Sequence, residues 1–140
     1  MEKELFTKLL LELAFCSIVC DNIIDEKELK KLKEIEKNDD YFKNVDLSNQ
    51  FNKLKKDFEV FGISMINNHL NKIHSFSLDL TQKFIIIEVC LALIRADGKL
   101  ENDEIDFMNK LIIQLQIPKS MIDLRFPNWW QNKILNFKEM

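Results

Sequence analysis

Glycine and proline are scarce in this chain of 140 residues, which contains only two of each. All-β folds change direction at many turns, and these residue types supply much of the turn geometry. The scarcity therefore argues against a fold of many short strands and favours long helices with few corners. We expect one domain over residues 1–140, because a chain of this length can bury a sizeable core without division.

The chain also lacks a long apolar run. Its most apolar stretch, FIIIEVCLALI at 84–94, contains Glu88 and is too short to span a bilayer. The first residues have no basic segment followed by an uninterrupted apolar run, so no signal peptide is predicted. Three cysteines without a framework spacing fit a reducing compartment. We therefore expect a cytoplasmic protein without direct membrane insertion.

A basic excess is missing as well, since the net charge is −3. This balance argues against nucleic acid as a partner, because nucleic-acid-binding domains usually carry a basic surface. Lysines do cluster in KELKKLKEIEK at 27–37, where Lys30 is four residues from both Glu26 and Glu34. This spacing is typical of a solvated helix face with weak ion pairs.

Helical periodicity dominates what is present. The third predicted helix has apolar residues from Leu47 to Met65 at alternating spacings of four and three, with Gly62 inside it. His74 and the residues after it interrupt this pattern, and Pro118 and Pro127 suit the first turns of further short helices. The other predicted helices cover about 3–20, 26–37, 78–96 and 102–116. The prediction is an all-α compact bundle of six or seven helices.

An internal repeat organises this bundle. A shift of 76 residues places Glu12 on Glu88 and Ile18 on Ile94, and it also aligns two polar corners that each follow an apolar helix. A match at one fixed period indicates duplication. We therefore expect two helix-turn-helix halves, at about 5–37 and 80–122, related by a pseudo-two-fold axis.

Each corner has the residues of a well-capped helix start. Asn22 and Gly98 tolerate the left-handed conformation that closes a helix. Asp25 and Glu101 stand at the N-cap position, where aspartate is favourable and glutamate is not. Three residues later come Glu28 and Glu104, whose carboxylates can reach back to the backbone of the cap.

Asp21 and Asp97 fit a purely capping role less well, since a carboxylate at the C-terminal end of a helix opposes the helix dipole. Either each one caps the following helix or it serves a ligand. A calcium loop of the EF-hand type is rejected, because Leu93 and Arg95 would occupy its first two ligand positions. A shared divalent-cation site from both halves remains open. Its candidate ligands are Asp21, Asp25, Glu28, Asp97, Glu101 and Glu104.

The segment ADGKLENDEI at 96–105, which ends an apolar helix and is echoed 76 residues earlier, resembles the TerB-like family, named for tellurite-resistance protein B. Ala96, Asp97, Gly98, Leu100 and Glu104 match its pattern, whereas the first copy has cysteine and asparagine in place of alanine and glycine. The resemblance implies a bacterial helical bundle linked to tellurite resistance, stress response or phage defence. It also implies an acidic metal site and partners that are membrane-associated or calcium-binding.

The N-terminal domain of the co-chaperone DjlA is related to this family, but the chain has no His-Pro-Asp motif of a J domain. No nucleophile or phosphate-loop motif is present either. The sequence therefore predicts a non-enzymatic binding or scaffolding module. The alternatives are a structural interaction domain whose corners only cap helices, and a metal-dependent hydrolase.

Four further features have mainly structural interpretations. Glu12 and Glu88 interrupt apolar helices and are expected in structural ion pairs or at edge positions, with Arg95 as the candidate partner of Glu88. The cysteines are expected in the core. His69 and His74 lack the spacing of a zinc motif. Trp129 and Trp130 are adjacent, so either the C-terminal segment docks deeply or one of them marks a partner surface.

Overall fold

The computed structural model describes residues 2–38, 40–42, 47–96, 98 and 100–130, without the side chain of Tyr41. This part of the chain forms seven α-helices and no strand. Short 3₁₀ turns occupy Asp40–Phe42 and Lys72–Ser75. The helices are α1 (Lys3–Val19), α2 (Glu26–Asn38), α3 (Ser48–Phe61), α4 (Ile63–Asn71), α5 (Leu80–Ile94), α6 (Asn102–Leu115) and α7 (Lys119–Arg125). The predicted all-α compact bundle is confirmed.

Helices α1 and α5 form the centre of the bundle and make its most extensive helix–helix contact. Both are apolar on most sides, which is typical of helices surrounded by others. Leu10, Phe15, Ile87 and Cys90 are fully buried, and the Cys90 thiol lies 3.7 Å from the carbonyl oxygen of Leu13. Asp79 caps the start of α5 by accepting from the backbone N–H of Gln82 at 2.8 Å.

Helices α2 and α6 pack against both central helices. Each has one apolar face and one charged face, and each places a buried glutamate at its third position, Glu28 in α2 and Glu104 in α6. These two glutamates lie in the same region of the bundle, close enough to interact with each other.

The predicted continuous third helix is wrong, because Gly62 divides it into α3 and α4. The backbone of Gly62 has φ 57° and ψ −135°, a conformation that side-chain-bearing residues rarely adopt. Its N–H still closes α3 by donating to the carbonyl of Phe58 at 2.8 Å. The break turns α4 toward α1 and α6, where Met65, Ile66 and Leu70 are buried.

Pro118 precedes α7, as predicted, whereas residues 127–130 form a turn and the residues after 130 lie outside the described part. Trp129 is 5% exposed and Trp130 is 41% exposed, so only the first is docked. The Arg95 guanidinium donates a hydrogen bond to the carbonyl of Trp129. The predicted Glu88–Arg95 pair is not formed among the described residues. No helix there is long and apolar enough to cross a membrane.

Candidate functional site: a buried carboxyl pair

The first corner connects α1 to α2. Asn22 has φ 66°, and its N–H donates to the carbonyl of Val19 at 2.8 Å, which completes the left-handed closure of α1. Oδ1 of Asp21 accepts a hydrogen bond from the N–H of Ile23, two residues later in the chain, at 3.1 Å. Asp25 Oδ1 then accepts from the N–H groups of Lys27 and Glu28, at 2.8 and 3.1 Å. The predicted N-cap role of Asp25 is confirmed.

The second corner connects α5 to α6 with similar backbone geometry. Gly98 has φ 81°, and its N–H donates to the carbonyl of Arg95 at 2.9 Å. Glu101 stands at the N-cap of α6, and its N–H donates to Oε1 of Glu104 at 2.9 Å. Glu104 therefore reaches back to the cap as predicted. Asp97, the remaining predicted ligand at this corner, lies outside the described residues.

Glu28 and Glu104, the third residues of their helices, meet in the interior and share a side-chain hydrogen bond. They are only 2% and 3% exposed. Burial, together with the negative charges of Glu104 and Asp25, raises the pKa of Glu28 to about 9. Two carboxyl groups can share a hydrogen bond only if one holds a proton, so the pair holds a proton at neutral pH.

The carboxyl pair has unused capacity for a ligand. Oε1 of Glu28 is buried without a hydrogen-bond partner among the described residues, and carboxylate oxygens are the donors that hard divalent cations prefer. Asp21 and Asp25 are near enough for their charges to raise the pKa of Glu28. The described residues nevertheless include no group of three or more His, Cys, Asp or Glu side chains arranged to hold a metal ion.

The six predicted ligands thus divide by position. Glu28 and Glu104 are in mutual contact, and Asp21 and Asp25 lie beside them with one oxygen each bonded to backbone N–H groups. Glu101 is exposed at the start of α6. The geometry brings together the two buried glutamates, which were predicted as helix-capping residues as well as ligands.

A cavity of about 250 Å³ opens beside the first corner, between the end of α1 and helices α4 and α6. Its floor includes the apolar residues Ile66 and Leu70. Its other lining residues include three carboxylates and one ammonium, those of Asp21, Asp103, Asp106 and Lys110, so acidic charge is in excess. This combination suits an apolar side chain next to a basic one. Sequence reasoning missed the cavity because its walls come from three separate helices.

A second buried carboxylate was predicted without its partners. The ammonium of Lys72 lies 2.7 Å from Oε1 of Glu12, and Nδ1 of His69 lies 3.5 Å from the same oxygen. The expected ion pair of Glu12 is confirmed. The residues that complete it are about sixty positions away, and no local spacing links them to Glu12.

The described residues thus form a small all-α bundle in which two acidic corners surround a buried carboxyl pair. Residues 8–125 match the sequence model of the family described as tellurite resistance protein TerB. The match covers most of the chain, so the protein belongs to the TerB family. Neither the curated proteins nor the solved structures gave a match to this chain.

Proposed function

We propose that the protein is a non-enzymatic binding module of a bacterial stress, tellurite-resistance or phage-defence system, and that its paired acidic corners bind a divalent cation. The observation that carries the proposal is the buried Glu28–Glu104 pair, with the unpartnered Oε1 of Glu28. Such a pair is held together by a proton, and a cation can take the place of that proton.

The donor set fits a hard cation such as calcium or magnesium. Glu28 and Glu104 would supply carboxylate oxygens from α2 and α6, and the negative charge of Asp25, which acts on Glu28, would add to the attraction. A bound cation would neutralise the repulsion that raises the pKa of Glu28. The near-complete burial of the pair supports a non-catalytic role, because a substrate could not reach it.

A role as a structural interaction domain is the second candidate. It is favoured by the carboxylate oxygens of Asp25 and Glu104 that already accept from backbone N–H groups. In this role the corners only cap helices, and a protein partner binds elsewhere. The cavity between α1, α4 and α6 suits a basic, amphipathic segment of such a partner, including one that belongs to a membrane-associated protein.

Thermal unfolding tests these two functions. The protein is melted in EDTA and then with calcium, magnesium, manganese or zinc, for the wild type, Glu28→Gln and Asp97→Asn. An ion at 100 times its Kd should add about 2.7 kcal/mol, which is several degrees for a domain of this size. Glu26→Gln is the matched control, because it removes a carboxylate from an exposed position two residues away.

A rise in Tm that Glu28→Gln loses and Glu26→Gln keeps would support a cation at the corners. Equal melting curves with and without every ion would overturn the cation site and leave the structural interaction domain. The melt in EDTA separates a loss of binding from a loss of folding, because a variant that merely destabilises the bundle already melts earlier without ions.

A further inference from the structure

A second site lies outside the acidic corners, in a cavity of about 520 Å³ between α2 and the C-terminal end of α5. Four of its lining residues are cationic, namely Lys27, Lys30, Lys31 and Arg95. Glu34 is the one carboxylate among the described lining residues, which leaves an excess of three positive charges. This concentration is notable in a chain whose net charge is −3.

The helix geometry brings these charges together. Lys27, Lys30 and Lys31 are three and four residues apart and therefore project from one face of α2. Across the cavity, Arg95 follows the last turn of α5. Ala92 and Ala96 form the wall between them, and their small side chains leave space without contributing a carboxylate.

Within the described part of the chain, internal partners do not neutralise the cluster. The sequence predicted that Lys30 would pair with Glu26 and Glu34, and neither pair is formed among the described residues. The ammonium of Lys31 lies 4.0 Å from Glu34, and both side chains are about half exposed, which makes a weak pair. Arg95 donates to a neutral carbonyl, that of Trp129, which orients the guanidinium and leaves its charge in place.

We propose that this cavity binds a soluble, phosphate-bearing small molecule. An excess of three charges is matched by an anion with two or more negative charges, and a single carboxylate does not supply them. Lysine binds phosphate oxygens as a point charge, and the arginine fork can bind two of them at once. The volume is in the range of small-ligand sites. The proposal is independent of the cation site at the carboxyl pair.

Titration with pyrophosphate and with inorganic phosphate, in EDTA and at constant ionic strength with sodium chloride, tests the proposal. We expect a saturable rise in Tm with pyrophosphate and a smaller one with phosphate. Lys30→Gln should raise the Kd about tenfold, the usual effect of removing a charged hydrogen-bond donor. Lys30→Arg keeps the charge and should bind within a few-fold of the wild type.

Lys33→Gln is the matched control, because Lys33 is exposed on the same helix and does not line the cavity. It should change the Kd by less than about twofold, since only screened long-range charge is removed. The proposal is overturned if pyrophosphate gives no saturable shift beyond that of sodium chloride. It is equally overturned if Lys30→Gln and Lys33→Gln weaken binding alike, which would indicate general attraction of anions. Lys27→Gln provides a second cavity variant if Lys30→Gln fails to fold.

Discussion

The ammonium of Lys72 lies 2.7 Å from Oε1 and 3.1 Å from Oε2 of Glu12, and so joins the end of α4 to the middle of α1. His69 Nδ1 lies 3.5 Å from the same Oε1. Burial raises the pKa of Glu12. His69 and Lys72 together lower it by a larger amount, so the pKa lies below its usual value. The ion pair thus lets a carboxylate remain charged within an apolar helix.

Replacing Lys72 by methionine should lower the free energy of unfolding by about 1–2 kcal/mol, because Glu12 is left buried beside an uncharged side chain. The effect stays below that of a fully buried pair, since the side chain of Lys72 is 43% exposed. Urea unfolding at neutral pH measures it. Lys56→Met, at an exposed position of α3, is the control and should change stability by less than about 0.5 kcal/mol.

The pH dependence of this variant gives the sign of the interaction. Because the folded pKa of Glu12 is lowered, its contribution is present above the unfolded value of 4.5 and is lost as pH falls through the folded value. The difference between the wild type and Lys72→Met should therefore shrink as the pH falls below 4.5. A constant difference down to acid pH would contradict the ion-pair explanation.

Glu28 should have the opposite pH dependence. Its folded pKa is raised to about 9, so its protonation stabilises the fold fully below pH 4.5, and this contribution is lost as pH rises through about 9. The slope between these values can reach about 1.4 kcal/mol per pH unit. Urea unfolding in EDTA from pH 5 to 9.5 should show that Glu28→Gln gains stability relative to the wild type as pH rises. Parallel curves would contradict the shared proton.

Gly62→Ala should destabilise the protein by about 1–3 kcal/mol, because φ 57° with ψ −135° is strained for any residue with a Cβ. Apart from the two neighbouring residues, no heavy atom of the described residues lies within 4 Å of the position that a Cβ would take, so backbone strain accounts for the loss, and crowding does not. Asn22→Gly is the comparison, since Asn22 already occupies a left-handed conformation, and its change should be within about 0.5 kcal/mol. Chemical denaturation of both variants measures the contrast.

The thiols should be unreactive in the folded protein. Cys16 and Cys90 are fully buried, and burial raises the pKa of Cys90 to about 12 and that of Cys16 well above its usual value. Burial together with the charge of Glu104 also raises the pKa of Cys20. A disulfide reagent at pH 8 should label the native protein slowly and label three thiols at once in urea. Fast labelling of one native thiol would contradict this.

Local chemistry determined what the sequence could predict. Features that depend on neighbours within a few residues were predicted. They are the apolar periodicity of the helices, the capping role of Asp25 and the left-handed backbone of Asn22 and Gly98. The contact between Glu28 and Glu104 depends on how α2 and α6 cross the central helices. The 76-residue repeat raised a shared acidic site as one possibility, but it did not determine which of the six carboxylates meet. No spacing along the chain reports the contact of Lys72 with Glu12. Gly62 was misjudged because the apolar pattern continues across it, and only its backbone angles show the break.

The contact between α1 and α5 also has a consequence for the order of folding. Leu13 and Cys90, which meet in the centre, are 77 residues apart in the chain. Their encounter requires closure of a long loop, whose entropy must be lost before the central contacts can compensate for it. Helical proteins usually fold quickly because their contacts are local. In this protein the largest helix–helix interface joins segments that are distant in the chain. The encounter of α1 with α5, rather than the formation of single helices, should therefore set the folding rate.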